Sequence, residues 1–241
     1  MTLQNRLLTL IAGALFVAAF NLIGVSSAAA STTEECKIPV AGEIFTSAHF
    51  KDANCEEPNG TGEFHTTLVP ANSLLTRTNT IIIIISGTIA GTPIEIKCET
   101  YGGTKTVSNF EEKEVKGFKG EGKMKFSGCK MATPVACTVS ESFETVTLSE
   151  SSEDLKEEVM RTLFVPKEGT KLATVKITGC ALEGSYAISG KLRSQTVNIH
   201  TEEFSKTSGS ELTLGGNTVD IIFTSHDATA ANGKTVVRET P

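Results

Sequence analysis

The chain has 241 residues, 39% of them hydrophobic and 21% charged, with a formal net charge of -6, six cysteines and no tryptophan. That modest acidity disfavours nucleic acid and anionic membrane surfaces as partners, because both reward clusters of Lys and Arg. Lysines do gather between Lys113 and Lys130, but glutamates are interleaved among them, as on a solvated strand face.

Met1 to Arg6 carries a positive charge, Leu7 to Val25 is an almost unbroken apolar run, and Ala28-Ala29-Ala30 offers a small-x-small cleavage site. This order predicts a secretory signal peptide over residues 1–30, with no stable membrane span after cleavage. The alternative is a retained anchor, since a run of this length can cross a bilayer, although no basic stop-transfer cluster follows it. Removing thirty residues from 241 leaves 211, enough for one well-packed domain or two small ones.

Residues 31–75 hold Pro39, Pro58, Pro70, Gly42, Gly60 and Gly62 with little periodicity. They read as a disulfide-pinned entry segment packing on the main domain, with short strands near Glu43 to Ser47 and Glu63 to Val69. Asn59-Gly60-Thr61 fits a glycosylation sequon and is equally an ordinary turn.

The main domain is expected over residues 76–226, centred on Thr80 to Cys98 with its five consecutive isoleucines. β-branched residues pack well on a pleated surface, so this stretch predicts strand, turn and strand. A run without polar alternation asks for cover on both faces, which suggests a central place in a sheet. Lys105 to Phe110 and Val115 to Phe126 follow as strands, the second alternating with glycine weak points, and Cys137 to Leu148 alternates likewise. Ser149 to Arg161 reads as a short surface helix or a polar loop, with acids early and an arginine late. Thr162 to Pro166, Leu172 to Cys180, Ser185 to Gly190 and Thr196 to His200 are further strands, Thr213 to Phe223 a closing hairpin, and residues 227–241 a polar tail. About ten short strands between glycine turns predict an all-β fold, a Greek-key-like β-sandwich or barrel.

Six cysteines in an exported chain suggest three disulfides in an oxidising compartment. Spacing leaves many pairings open. The preferred set is Cys36 with Cys55, Cys129 with Cys137 at a hairpin tip, and Cys98 with Cys180 as a long-range bridge.

Chemistry is harder to find. His49, His65, His200 and His226 are scattered with no His-Glu-x-x-His, no Gly-x-Ser-x-Gly elbow appears, and no calcium loop or glycine-rich nucleotide loop is present. Ser127-Gly128-Cys129-Lys130 matches Ser-x-x-Lys but lacks the companion motifs of penicillin-recognising enzymes. The paired acids Glu34-Glu35, Glu56-Glu57, Glu111-Glu112, Glu157-Glu158 and Glu202-Glu203 are expected in solvated turns. No catalytic, cofactor-binding or metal-ligating residue is therefore assigned, and no cofactor is expected.

The signal peptide, Phe50-Lys51-Asp52-Ala53-Asn54-Cys55, Ile94-Glu95-Ile96-Lys97-Cys98, and the echo of Phe126-Ser127-Gly128-Cys129 in Ile177-Thr178-Gly179-Cys180 before Ala187-Ile188-Ser189-Gly190 together resemble a group of uncharacterised secreted proteins of actinobacteria. That resemblance implies the fold and the export, and no activity. The expected function is an exported, non-catalytic β protein, secreted or envelope-associated, that binds an unknown extracellular or cell-envelope partner through loops at one end of the fold. The alternative is a secreted hydrolase with a carboxylate site. The oligomeric state is left open.

Overall fold

The computed structural model describes residues 32–38, 49–58, 61–112, 115–153, 160–226 and 228–238. The expected signal peptide, the strand near Glu43 to Ser47, and Asn59-Gly60 lie outside them. Among the described residues there are eighteen strands and one 3-10 turn, Lys206–Ser208, so the all-β expectation holds.

In chain order the first strands are β1 (Thr33–Lys37), β2 (His49–Phe50), β3 (Phe64–Leu68), β4 (Ser73–Ile89), β5 (Thr92–Glu112) and β6 (Val115–Ser127). Then come β7 (Lys130–Thr133), β8 (Thr138–Val139), β9 (Ser142–Glu144), β10 (Leu148–Glu153), β11 (Arg161–Pro166) and β12 (Lys171–Thr178). The last are β13 (Gly184–Asn198), β14 (Thr201–Phe204), β15 (Glu211–Leu214), β16 (Asn217–Ser225), β17 (Ala228–Ala230) and β18 (Thr235–Arg238). The strands are more numerous than expected, and several are longer, because neighbouring runs merge. Ser185 to Gly190 and Thr196 to His200 were expected as two strands, yet β13 runs from the first into the second and ends at Asn198. Gly190, at φ 117°, lets this strand bend where a Cβ would meet the Glu211 carbonyl oxygen.

Antiparallel pairing runs β4–β5–β6–β10–β11–β13–β14–β16 and returns to β4, closing an eight-stranded barrel. Closure leaves the ring without an edge, and eight strands enclose a space that side chains can fill. The outer halves of β13 and β16 continue past the ring into a second sheet with β8, β12 and β15. One apolar core runs through both, from Ile83, Ile85 and Ile96 to Val175, Ile177 and Leu214.

Two expectations are corrected here. The isoleucine run is not covered on both faces: Ile83 and Ile85 are fully buried, but Ile82 is 70% exposed beside a break in the β4–β5 register between Thr80 and Ile83. A strand alternates its faces whatever its composition, so only one side can reach the barrel core. Residues 149–153 of the expected helix or loop belong to strand β10, because Leu148, Glu150 and Ser152 point one way and the backbone pairs with both β6 and β11.

Disulfide pairing is corrected as well. Cys36–Cys55 forms as expected, but the other two bonds are Cys98–Cys129 and Cys137–Cys180. β5 and β6 are in register at Thr100 with Ser127, and the chain turns through Gly128, so Cys129 arrives beside Cys98. Cys137, leaving the same loop toward β8, lies next to the end of β12, where Cys180 waits.

The stretch after residue 226, expected as a tail, carries β17 and β18. β18 pairs with β1, β1 with β3, and β17 with β4, so segments from both ends of the described chain form one lobe on the barrel. Val69, Leu75, Val107, Phe118, Ala228, Ala230 and Val236 are its apolar contact with the barrel.

Candidate functional site

Parity along the strands decides what enters the barrel. On β4, Leu75 points in, so Arg77 follows two residues later, and on β14 Glu202 points in with Phe204. Arg77 Nη1 donates to Glu202 Oε2 at 2.7 Å and to Ser225 Oγ at 2.8 Å. Glu202 Oε1 accepts from Thr162 Oγ1 at 3.2 Å and Ser194 Oγ at 3.0 Å. Three strands of the ring, β4, β11 and β13, therefore converge on the carboxylate that β14 supplies, which is 2% exposed. A second pair, Lys105 Nζ with Glu150, crosses from β5 to β10.

The electrostatics follow from burial and pairing. Burial works against the Arg77 charge, but the Glu202 carboxylate and its hydrogen bond outweigh that and raise the guanidinium above its ordinary value. Burial pushes the Tyr101 hydroxyl up to about 12, with Glu202 and Glu150 adding and Arg77 opposing. Tyr101 thus stays neutral at any physiological pH. Beside this layer lies an aromatic stack, in which the Phe204 and Phe223 rings are 4.1 Å apart and nearly parallel and Tyr101 is 4.9 Å from Phe223.

A cavity of about 30 Å³ opens among Leu75, Arg77, Tyr101, Lys105, Glu150 and Phe164. A water needs roughly 10–15 Å³ on such a measure, so the space suits one or two waters. Each carboxylate here already has its own cation. Among the described residues, no pair of acids without cations lines this cavity.

The larger concavities are outside. The outward face of β5, β6 and β10 forms a groove of about 550 Å³ lined by Asn72, Thr106, Ser108, Lys119, Glu121, Ser149 and Ser151, with Val107, Glu150 and Val165 also reaching it. A second hollow of about 370 Å³ adjoins it over β4 to β6, between Thr76, Thr78, Thr104 and Lys125. The sheet can curl so sharply because Gly103 and Gly122 face inward. A Cβ on Gly122 would meet the Thr104 carbonyl oxygen at 2.4 Å.

No protein family, curated protein or solved structure matches this chain.

All six cysteines are bonded, as the sequence indicated. The histidines occupy structural positions: His49 and His65 meet edge to face across β2 and β3 with ring centroids 4.1 Å apart, His200 Nε2 contacts the Cys55 carbonyl at 3.0 Å, and His226 Nδ1 is 3.5 Å from Thr201 Oγ1. No group of three or more metal-ligating side chains occurs among the described residues. Lys130 of the Ser-x-x-Lys match is paired with Glu99, away from Ser127. The acids were misjudged in part. Glu34, Glu35 and Glu202 are buried within strands, not solvated in turns. Strand parity from Leu75 would have found Arg77, and parity back from Phe204 would have found Glu202.

Among the described residues no helix is long and apolar enough to cross a membrane. Three disulfides fit an oxidising compartment.

Proposed function

We propose that this is an exported, non-catalytic β protein, akin to the secreted actinobacterial proteins it resembles, that binds an extracellular or cell-envelope partner through the outer face of β5, β6 and β10. The observation that carries this is the 550 Å³ groove, set against an interior with room for one or two waters. Its lining of hydroxyls, one amide, one lysine and two glutamates, with Val107 and Val165 as the apolar members, offers donors and acceptors beside apolar surface, which complements a hydroxylated or amide-bearing polymer. This moves binding from the loops at one end, where the sequence suggested it, to a face of the sheet. The hydrolase alternative draws on Glu150 at the cavity, but Lys105 neutralises that carboxylate and no glycosidic or peptide linkage fits beside it.

The test is co-sedimentation of the purified protein with insoluble cell-wall polysaccharide. Ser151→Trp, which fills the groove from a half-buried outward position, should abolish sedimentation while leaving the melting temperature unchanged. Undiminished sedimentation of that variant would remove the groove from consideration.

A further inference from the structure

Where the turn between β17 and β18 meets β1, one buried carboxylate gathers a carboxamide and two amines, those of Asn232, Lys37 and Lys234. Asn232 Nδ2 donates to Glu35 Oε2 at 3.1 Å. Lys37 Nζ stands 3.5 Å from the other oxygen, Oε1. Lys37 and Glu35 are two residues apart on β1 and so share a face. The Glu35 and Lys37 side chains are only 7% and 15% exposed. Asn232 lies in an exposed turn, and its Oδ1 accepts from the backbone N–H of Lys234 at 3.0 Å. An amine, a carboxamide, a bridging carboxylate and a donor on the carboxamide oxygen are thus assembled in one place.

We propose that Lys37 and Asn232 join in an intramolecular isopeptide bond, with Glu35 as the proton shuttle. Glu35 takes a proton from the Lys37 ammonium, and the free amine attacks Asn232 Cγ. The carbonyl electron pair moves onto Oδ1, where the Lys234 N–H stabilises it. Glu35 relays the protons released by the Lys37 nitrogen to Nδ2, the Cγ–Nδ2 bond breaks, and nitrogen leaves as ammonium. The Lys37 ammonium and the carboxamide have become an amide and an ammonium ion, Glu35 is again a carboxylate, and no oxidant or reductant is consumed. Ammonium leaves directly to solvent because the turn is exposed. The bond ties the first described strand to the last hairpin, across a lobe that already carries the Cys36–Cys55 disulfide.

Two reactions compete with this bond. The Gly233 backbone nitrogen can attack Asn232 Cγ, giving deamidation, and Lys234 Nζ lies 3.7 Å from Glu35 Oε1 but is 37% exposed and belongs to the same turn. The test is peptide mass mapping of the purified, reduced full chain. It should yield a cross-linked peptide containing both Lys37 and Asn232, with a mass about 17 Da below the sum of its parts for the lost ammonia. Lys37→Arg, Asn232→Ala and Glu35→Gln should each lose the cross-linked peptide and keep the native circular dichroism spectrum. The proposal is overturned if the folded parent shows an unmodified Lys37, if Asn232 is found only as aspartate, or if the link runs through Lys234.

Discussion

The barrel and the terminal lobe are held by different forces. The ring of β4, β5, β6, β10, β11, β13, β14 and β16 closes on itself, buries one large apolar cluster, and satisfies its inner charges with each other. The lobe of β1, β2, β3, β17 and β18 is built of strands of two to five residues over two small apolar clusters, with a disulfide at Cys36–Cys55 and polar clasps. Asn109 on β5 makes one such clasp, both donating to and accepting from the Thr33 backbone at 2.8 Å. Small elements bury too little apolar surface to offset their conformational entropy, so covalent and polar ties take up that role. In the barrel the Cys98–Cys129 bond and the buried ion pairs add to a large apolar core instead of replacing one.

The sharpest way to break this contrast is Ile83→Asp. Ile83 is fully buried, and a carboxylate there would meet no partner. Losing the side chain's burial alone costs about 1.5 to 3 kcal/mol, and the stranded charge adds more, so the variant should fail to fold when expression and chemical denaturation are compared with the parent. Ile82→Asp, one residue away on the exposed side, should fold normally. Equal behaviour of the two would disprove the alternation.

Next in size is Glu202→Ala, which leaves the Arg77 guanidinium buried without its carboxylate. Breaking a buried pair from one side costs about 3–5 kcal/mol, while replacing both partners by apolar groups recovers much of the loss. Thermal melts of Glu202→Ala and of Arg77→Met/Glu202→Leu should therefore differ, with the double variant the more stable. If the single variant melts like the parent, the ionic layer does not hold the ring.

Smaller effects separate the disulfides. Cys98→Ser and Cys129→Ser remove the same bond and should lower stability equally, by about 3 to 4 kcal/mol on the chain-entropy estimate. Cys36→Ser should instead act locally, raising amide hydrogen exchange in β1 and β3 while barrel strands stay protected. Uniform loss of protection after Cys36→Ser would mean that lobe and barrel unfold as one unit.

Composition and local pattern by themselves determined the all-β class, most strand positions, the isoleucine core and the bonding of every cysteine. β-branched residues, period-two alternation and glycine turns act over a few residues, so a linear reading can see them. β3, β11, β12 and the β15–β16 hairpin at Gly215-Gly216 fell close to their expected places for that reason. Which cysteine meets which, whether the sheet closes, and which acids go inside were decided only in three dimensions. Register between distant strands brings Cys129 rather than Cys180 to Cys98, and a polar-looking Glu202 turns inward because Arg77, 125 residues earlier, waits across the ring. Asn232, 197 residues from Glu35, meets it only because β18 pairs with β1. Long-range pairing depends on the summed fit of the whole sheet, and no short window of sequence contains that sum.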